Sequence, residues 1–210
     1  MTMEFENYLA NQSIPRLHIG GGNRLLDGWL NSDLAPPLAD VIVLDATKIY
    51  PFKDATFNYI FSEHMIEHVP YASGSSMLKE CFRVLKPGGK IRISTPDLRF
   101  LIDLYNSGDR RSAIQNEYLQ WATNSFIHSA PFYDPVFVIN NFMRDWGHLF
   151  IYDEVILKHN LRQAGFADIT RRELNSSQDE LLCNLESEHR LPPGFLRLET
   201  MTLEGTKPAC

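Results

Sequence analysis

Three consecutive glycines, Gly20, Gly21 and Gly22, follow the apolar run Leu17 to Ile19 directly, and a carboxylate, Asp33, closes the next apolar stretch before Leu34. Glycines placed there leave bare main-chain amides for a ligand to lie against. An ionised carboxylate is an acceptor only, so Asp33 can take two hydroxyl donors at once. A second acid, Asp45, ends the run Val41 to Leu44 and precedes Ala46. "SEHMIEHV" then sets Ser62, Glu63, His64, Glu67 and His68 straight after the run Phe57 to Phe61, and His148 stands apart in "WGHLF". Imidazole titrates near neutrality and could take a proton from a hydroxyl. Each residue also has a plain structural reading: a tight turn for the glycines, an Asx turn for the acids, an internally bonded ring for the histidines.

The elements that would position these residues are short apolar runs alternating with helical patterns. Leu17 to Ile19, Trp29 to Leu30, Val41 to Leu44, Phe57 to Phe61 and Ile91 to Ile93 read as strands. Such alternation predicts a mostly parallel α/β sheet covered by helices, with ligands beyond the carboxyl ends of its strands. Met77, Leu78, Cys81, Phe82 and Leu85 recur at helical spacing until "KPGG" stops the helix and turns the chain. A later helix starts near Asp153 and ends at Gly165, after which "FADITRREL" and "FLRLETMTLEG" read as two closing strands.

Residues 98–147 break the alternation. Ile114, Tyr118 and Trp121 have helical spacing, and "HSAPFYDPVFVINNFMRDWGH" reads as loop. The aromatic density there predicts a helical insertion serving as a lid over an acceptor site, as a small satellite core or as a homodimer interface.

Spacing separates two ligands that use a glycine turn of this kind. A dinucleotide needs G-x-G-x-x-G opening a helix, with an acid about 20 residues on; here position 25 is leucine, and Gly22 to Trp29 leaves room for barely one helical turn. S-adenosylmethionine, which has no pyrophosphate, loses less without that helix.

"VIVLDATKIYPFKDATFNYIFSEHMIEHV" followed by "MLKECFRVLKPGGKIRISTPDL" resembles the class I S-adenosylmethionine-dependent methyltransferases. The likeness spans residues 17–96 and resumes at "GHLFIYDEVILKHNLRQAGF". A short "GW-N-D" segment resembles small bacterial members often linked to cell-surface polysaccharide synthesis. The resemblance implies a Rossmann-like, seven-stranded sheet with helices on both faces. It further implies that Gly20, Gly21 and Gly22 face the methionine part of the cofactor, and that Asp33, with Leu34 beside it, takes the ribose hydroxyls. Asp45 and the Ala46 amide would meet the adenine, and Ser62, Glu63 and His64 the amino-acid end and reacting methyl. His64, His148 and Glu67 are the catalytic candidates. Some methyltransferases of the larger family hold a divalent ion through Glu-x-x-Glu-His, but the first position of that pattern is His64 here, so no metal is assigned to Glu63, Glu67 and His68.

Bulk properties bound the reading. A chain of 210 residues with 22 % charged and 44 % hydrophobic residues suits one domain, 1–210, with a sizeable core. The net charge of −6 argues against a nucleic-acid partner, whose binding rests on Lys and Arg, and leaves a small-molecule or glycan-like acceptor. No apolar run approaches the ~18 residues of a spanning helix, and the N-terminus has no secretory pattern. Cys81, Cys183 and Cys210 are few and scattered, which suits the cytoplasm. The alternative from another class is a noncatalytic binding or assembly protein that keeps the fold and uses the insertion as an interface.

Overall fold

Seven strands form one sheet in the order β3-β2-β1-β4-β5-β7-β6: β1 Arg16–Ile19, β2 Leu30–Asp33, β3 Ile42–Val43, β4 Phe57–Glu63, β5 Leu85–Pro96, β6 Ala167–Arg172 and β7 Thr200–Thr206. They belong to a computed structural model that describes residues 3–36, 38 and 40–209; Cys210 lies outside these. β1 to β5 pair in parallel, and β7 runs antiparallel between β5 and β6. The fold is the mostly parallel α/β sheet that the alternation predicts. Strand order reverses at β1 and β4, so their C-terminal ends, Ile19 and Glu63, flank the crevice where such sheets bind ligands.

Local chemistry explains the helices that matter here. α1 spans Met3–Asn11, and α2, Tyr71–Val84, buries Met77, Leu78, Cys81 and Val84 on one face. α6, Glu154–Ala164, starts at Asp153, whose side chain accepts from the Ile156 N–H, and stops at Gly165 in a left-handed conformation. These helices pack on β1, β4, β5 and β7 around Leu17, Ile60, Ile91 and Leu203. Turns carry the chain from Ile19 to Leu30 in place of a crossover helix.

The insertion folds into α3 Leu98–Asn106, α4 Ala113–Phe126 and α5 Pro135–Arg144. Its apolar faces meet in a second cluster that includes Phe100, Leu104, Tyr118, Leu119, Val138 and Phe142, joined by Phe195.

Four element readings need correction. "HSAPFYDPVFVINNFMRDWGH" is half helix: Asp134 caps it and Pro135 opens it, a signal hidden by the surrounding aromatics. "KPGG" follows the end of α2 at Val84 but does not turn the chain: β5 already pairs at Leu85, bulges through these residues and resumes at Lys90 opposite Tyr59. The second strand lies at Leu30–Asp33 rather than Trp29–Leu30, with Trp29 packed beside Phe61. "FLRLETMTLEG" begins with a short helix, α7 Phe195–Glu199, because Phe195 and Leu196 are drawn inward before the strand starts.

One side chain ties the far end of the sheet together. Arg92 on β5 is fully buried; it donates to Glu186 at 2.6 and 3.0 Å, to Glu204 on β7 at 2.6 Å, and to the carbonyls of Ser176 and Glu173. Replacing Arg92 with leucine strands two carboxylates in the interior, so urea unfolding should show a loss of about 3–5 kcal/mol.

Candidate active site

The glycine turn is shaped by contacts on both sides. The Gly20 and Gly21 amides donate to the Ser32 carbonyl at 2.9 and 3.0 Å, and the Gly22 amide donates to Asp33 Oδ2 at 2.9 Å. Gly20 has φ +72°, and a Cβ there would lie 2.2 Å from Met65 Cγ. Gly21 would meet the His18 ring and the Arg24 carbonyl, whereas Gly22, at φ +54°, faces open space. Small residues are therefore required by packing at Gly20 and Gly21, and the space beside Gly22 is free.

Asp33 stands at the C-terminal end of β2. Its Oδ1 accepts from the Ala35 N–H at 3.0 Å and Oδ2 from Gly22. Each carboxylate oxygen has two lone pairs, so one acceptor position remains on each. Leu34 is exposed and Ala46 is buried. Asp45 accepts the Thr47 amide and hydroxyl through Oδ1, and the hydroxyl bond first among its contacts holds its carboxyl below the usual range.

The glycines open on a cleft of about 670 Å³ lined also by His18, Arg24, Glu63, His64, Ser187 and Arg190. Glu63 accepts Arg24 at 2.7 Å through one oxygen and the Ser187 amide at 2.9 Å through the other. Arg24, Ser187, His189 and Arg190 are residues that sequence reading passes over; nothing in their spacing marks them, because the fold brings the 186–190 segment in from far downstream.

His64 and Arg190 also line a second cavity, of about 240 Å³, with His68, Trp121, Phe126, Phe142, Trp146, His148 and Glu199. The structure thus brings His64 and His148 to one pocket, with Glu67 behind them. His64 sits in a left-handed backbone conformation at φ +47°; its Nε2 lies 2.8 Å from Thr200 Oγ1 and its Nδ1 3.4 Å from Glu67 Oε1. Burial, helped by the positive charge of Arg190, pushes its ring well below the ordinary histidine value. Burial likewise raises the Glu67 carboxyl to about 8, against a bond from the Thr95 hydroxyl at 2.9 Å. His148 donates from Nδ1 to the Phe142 carbonyl at 2.8 Å. Ser62 is buried below the pocket floor, and its hydroxyl has no hydrogen-bond partner among the described residues.

A methyltransferase-domain family model matches residues 28–93, from the end of the glycine turn to the middle of β5. Solved methyltransferases share the fold across nearly the whole chain. Residues 28–93 are thus similar to a methyltransferase domain, and the chain as a whole shares the fold of class I methyltransferases. A methyltransferase from Archaeoglobus fulgidus aligns with a TM-score of 0.54 at 16 % identity, over 97 % of this chain and 90 % of its own. A chain from the complex of the Haloferax volcanii Trm112 methyltransferase activator with a methyltransferase gives 0.53 at 14 % identity, over 98 % and 89 %. Among curated proteins, phosphoethanolamine N-methyltransferase 2 of Caenorhabditis elegans is 37 % identical over 46 residues, which is 22 % of this chain and 10 % of that one. The domain is thus similar to a tenth of that relative's length. Among the described residues no helix is long and apolar enough to cross a membrane.

The residues present suit S-adenosylmethionine, the cofactor that the resemblance implies: a glycine turn with open space at Gly22, beside a carboxylate that keeps two acceptor positions. Gly20→Ala should abolish calorimetric binding of S-adenosylhomocysteine and lower the melting temperature, because its Cβ collides with Met65. Gly22→Ala should cost only about 1–2 kcal/mol of stability, the penalty of a left-handed alanine.

Glu199 gives a pH signature. Burial raises its carboxyl from 4.5 to about 7, with the Tyr118 hydroxyl bonded to it and the charge of Arg190 pulling the other way. The folded state therefore holds this proton more tightly than the unfolded chain. Its contribution is full below pH 4.5 and is lost as pH rises through about 7. Glu199 should account for a fall of about 3 kcal/mol in the unfolding free energy across this window; Glu67, raised to about 8, adds a fall of the same sign, so Glu199→Gln should reduce the slope and leave the part due to Glu67.

Proposed function

We propose that the protein transfers a methyl group from S-adenosylmethionine to a small-molecule or glycan-like acceptor. One observation carries this reading: the cleft at the glycine turn and the aromatic pocket meet at His64 and Arg190, which line both. A cofactor laid against the glycines and an acceptor seated among the aromatic rings would face each other there.

When bound, S-adenosylmethionine supplies a methyl group activated by its sulfonium. The chain's own work is then alignment and the handling of charge. Gly20, Gly21 and Gly22 admit the methionine part against bare backbone, and Asp33 grips the ribose diol with its two remaining acceptor positions, next to Leu34. Asp45 and the Ala46 amide border the adenine, and Ser62, Glu63 and His64 the amino-acid end. His64, Glu67 and His148 form the catalytic set on the acceptor side, where they orient the acceptor and receive charge as it leaves. Residues 98–147 act as a lid within a single domain, since Trp121, Phe126, Phe142 and Trp146 wall the pocket and keep water out. The glycan-like acceptor rests on the "GW-N-D" resemblance, and a cytoplasmic setting on the scattered thiols.

A second reading draws on the exposed Phe132, Tyr133 and Val136 of the insertion. Such a surface suits an assembly protein or a homodimer that binds the cofactor without turning it over.

Calorimetry should show binding of S-adenosylhomocysteine and none of nicotinamide dinucleotide. Asp33→Ala should weaken that binding roughly 100-fold or more, because two hydrogen bonds to a charged acceptor are lost, while Asp33→Asn, which keeps one acceptor, should fall between. Radiolabelled methyl transfer into extract fractions then separates the readings: binding with no labelled fraction favours the assembly protein.

A further inference from the structure

We propose that Glu67, His68 and His148 together bind one divalent transition-metal ion at the wall of the aromatic pocket, a site that rests on the methyltransferase reading for its purpose but not for its geometry. One donor atom from each residue lies within 4.8 Å of the other two, and Glu67 Oε1 is 4.0 Å from His68 Nε2. Three donors about 2.0–2.2 Å from a shared tetrahedral ion stand roughly 3.3–3.6 Å apart, so side-chain shifts of up to about 1.5 Å bring the three into coordination.

The surroundings already hold these donors as ligands are held. His148 donates its Nδ1–H to the Phe142 carbonyl, which leaves the Nε2 lone pair free. His68 has Nδ1 beside Gly147 and Nε2 on the side of Glu67. Glu67 commits Oε2 to the Thr95 hydroxyl. A partner on the far atom of His148 and of Glu67 fixes the direction of each, and the tautomer of His148. The backbone enforces the meeting: the Leu149 and Phe150 amides both donate to the Glu67 carbonyl, at 2.7 and 3.1 Å, and so clamp the loop carrying His148 onto the turn carrying Glu67 and His68.

An independent observation points to a cation. Glu67 is completely buried, and its Oε1 accepts no hydrogen bond among the described residues. The nearest donor, His64 Nδ1, is 3.4 Å away and off the line of a bond. A buried carboxylate oxygen left without a partner costs free energy, and a metal ion in the direction of His68 and His148 would supply one. Two imidazoles and one carboxylate select Zn²⁺, Mn²⁺, Fe²⁺ or Co²⁺ over the oxygen-seeking Ca²⁺ and Mg²⁺. Three protein ligands leave coordination positions open toward the pocket that Trp121, Phe126 and Trp146 wall. An acceptor oxygen could bind there and be polarised beside the cofactor cleft.

The test uses the whole chain, stripped with a chelator and titrated with Co²⁺ under visible spectroscopy and calorimetry. One equivalent should bind with ligand-field bands in the absorption spectrum, and two hyperfine-shifted imidazole N–H signals should appear in the proton NMR spectrum. His68→Ala and His148→Ala should each weaken binding by at least about 100-fold, the upper range seen when even a supporting partner is lost. His128→Ala, a histidine lining a different cavity, should bind Co²⁺ as the unaltered chain does. Absence of stoichiometric Co²⁺ binding, fewer than two shifted imidazole signals, or unchanged affinity in both histidine variants overturns the site. The NMR count needs no variant, so a misfolded mutant does not decide the matter. S-adenosylhomocysteine binding is measured on the same samples: its loss in the unaltered chain defeats the methyltransferase reading and leaves the cobalt result standing by itself.

Discussion

A guanidinium with no access to water decides where much of this molecule lies. Arg92 needs partners for its donors, and it finds them in Glu186, Glu204 and two carbonyls that come from three separate parts of the chain. Burying an ion is costly unless charge and hydrogen bonds are both matched. The segment between β6 and β7 therefore has one place to go. Glu186 is followed by Ser187, whose amide binds Glu63, and Glu63 in turn holds Arg24 beside the glycine turn. The buried ion pair of Arg92 thereby fixes the rim of the cleft at the glycine turn.

The second organising contact is a main-chain one. Glu67 offers its carbonyl to two successive amides, Leu149 and Phe150, at the exit of the insertion. This draws the aromatic helices toward the C-terminal end of β4, so the insertion has a core of its own and also a wall of the pocket. Packing and site are the same residues here: Phe142 belongs to the insertion's buried cluster and lines the cavity as well.

Much of this was legible in the residues alone, for a definite reason. The glycine turn, Asp33 and the strand alternation are local patterns, legible without any distant partner. The capped helix from Asp153 to Gly165 was equally plain, since a side-chain cap and a left-handed glycine act within a turn of their own position. What stayed hidden depends on distant partners. Arg92 reads as an ordinary strand residue until Glu186 and Glu204 are beside it, and His148 has no local companion that marks it as facing Glu67. α5 was missed although Asp134 and Pro135 announce it, because the aromatic crowding drew the reading toward loop. "KPGG" marks the end of α2, but the strand that follows runs straight through it, because pairing with β4 at Leu85 resumes at Lys90 across a bulge.

His64 carries a further implication. Its backbone is twisted into a region that side chains other than glycine occupy at a cost of about 1–3 kcal/mol. Glycine would relax the main chain there but take the imidazole away from the junction of the two cavities. With the role proposed for His64, robustness and reactivity pull in opposite directions at one residue, and a search for heat-tolerant variants that ignored chemistry would be drawn to it.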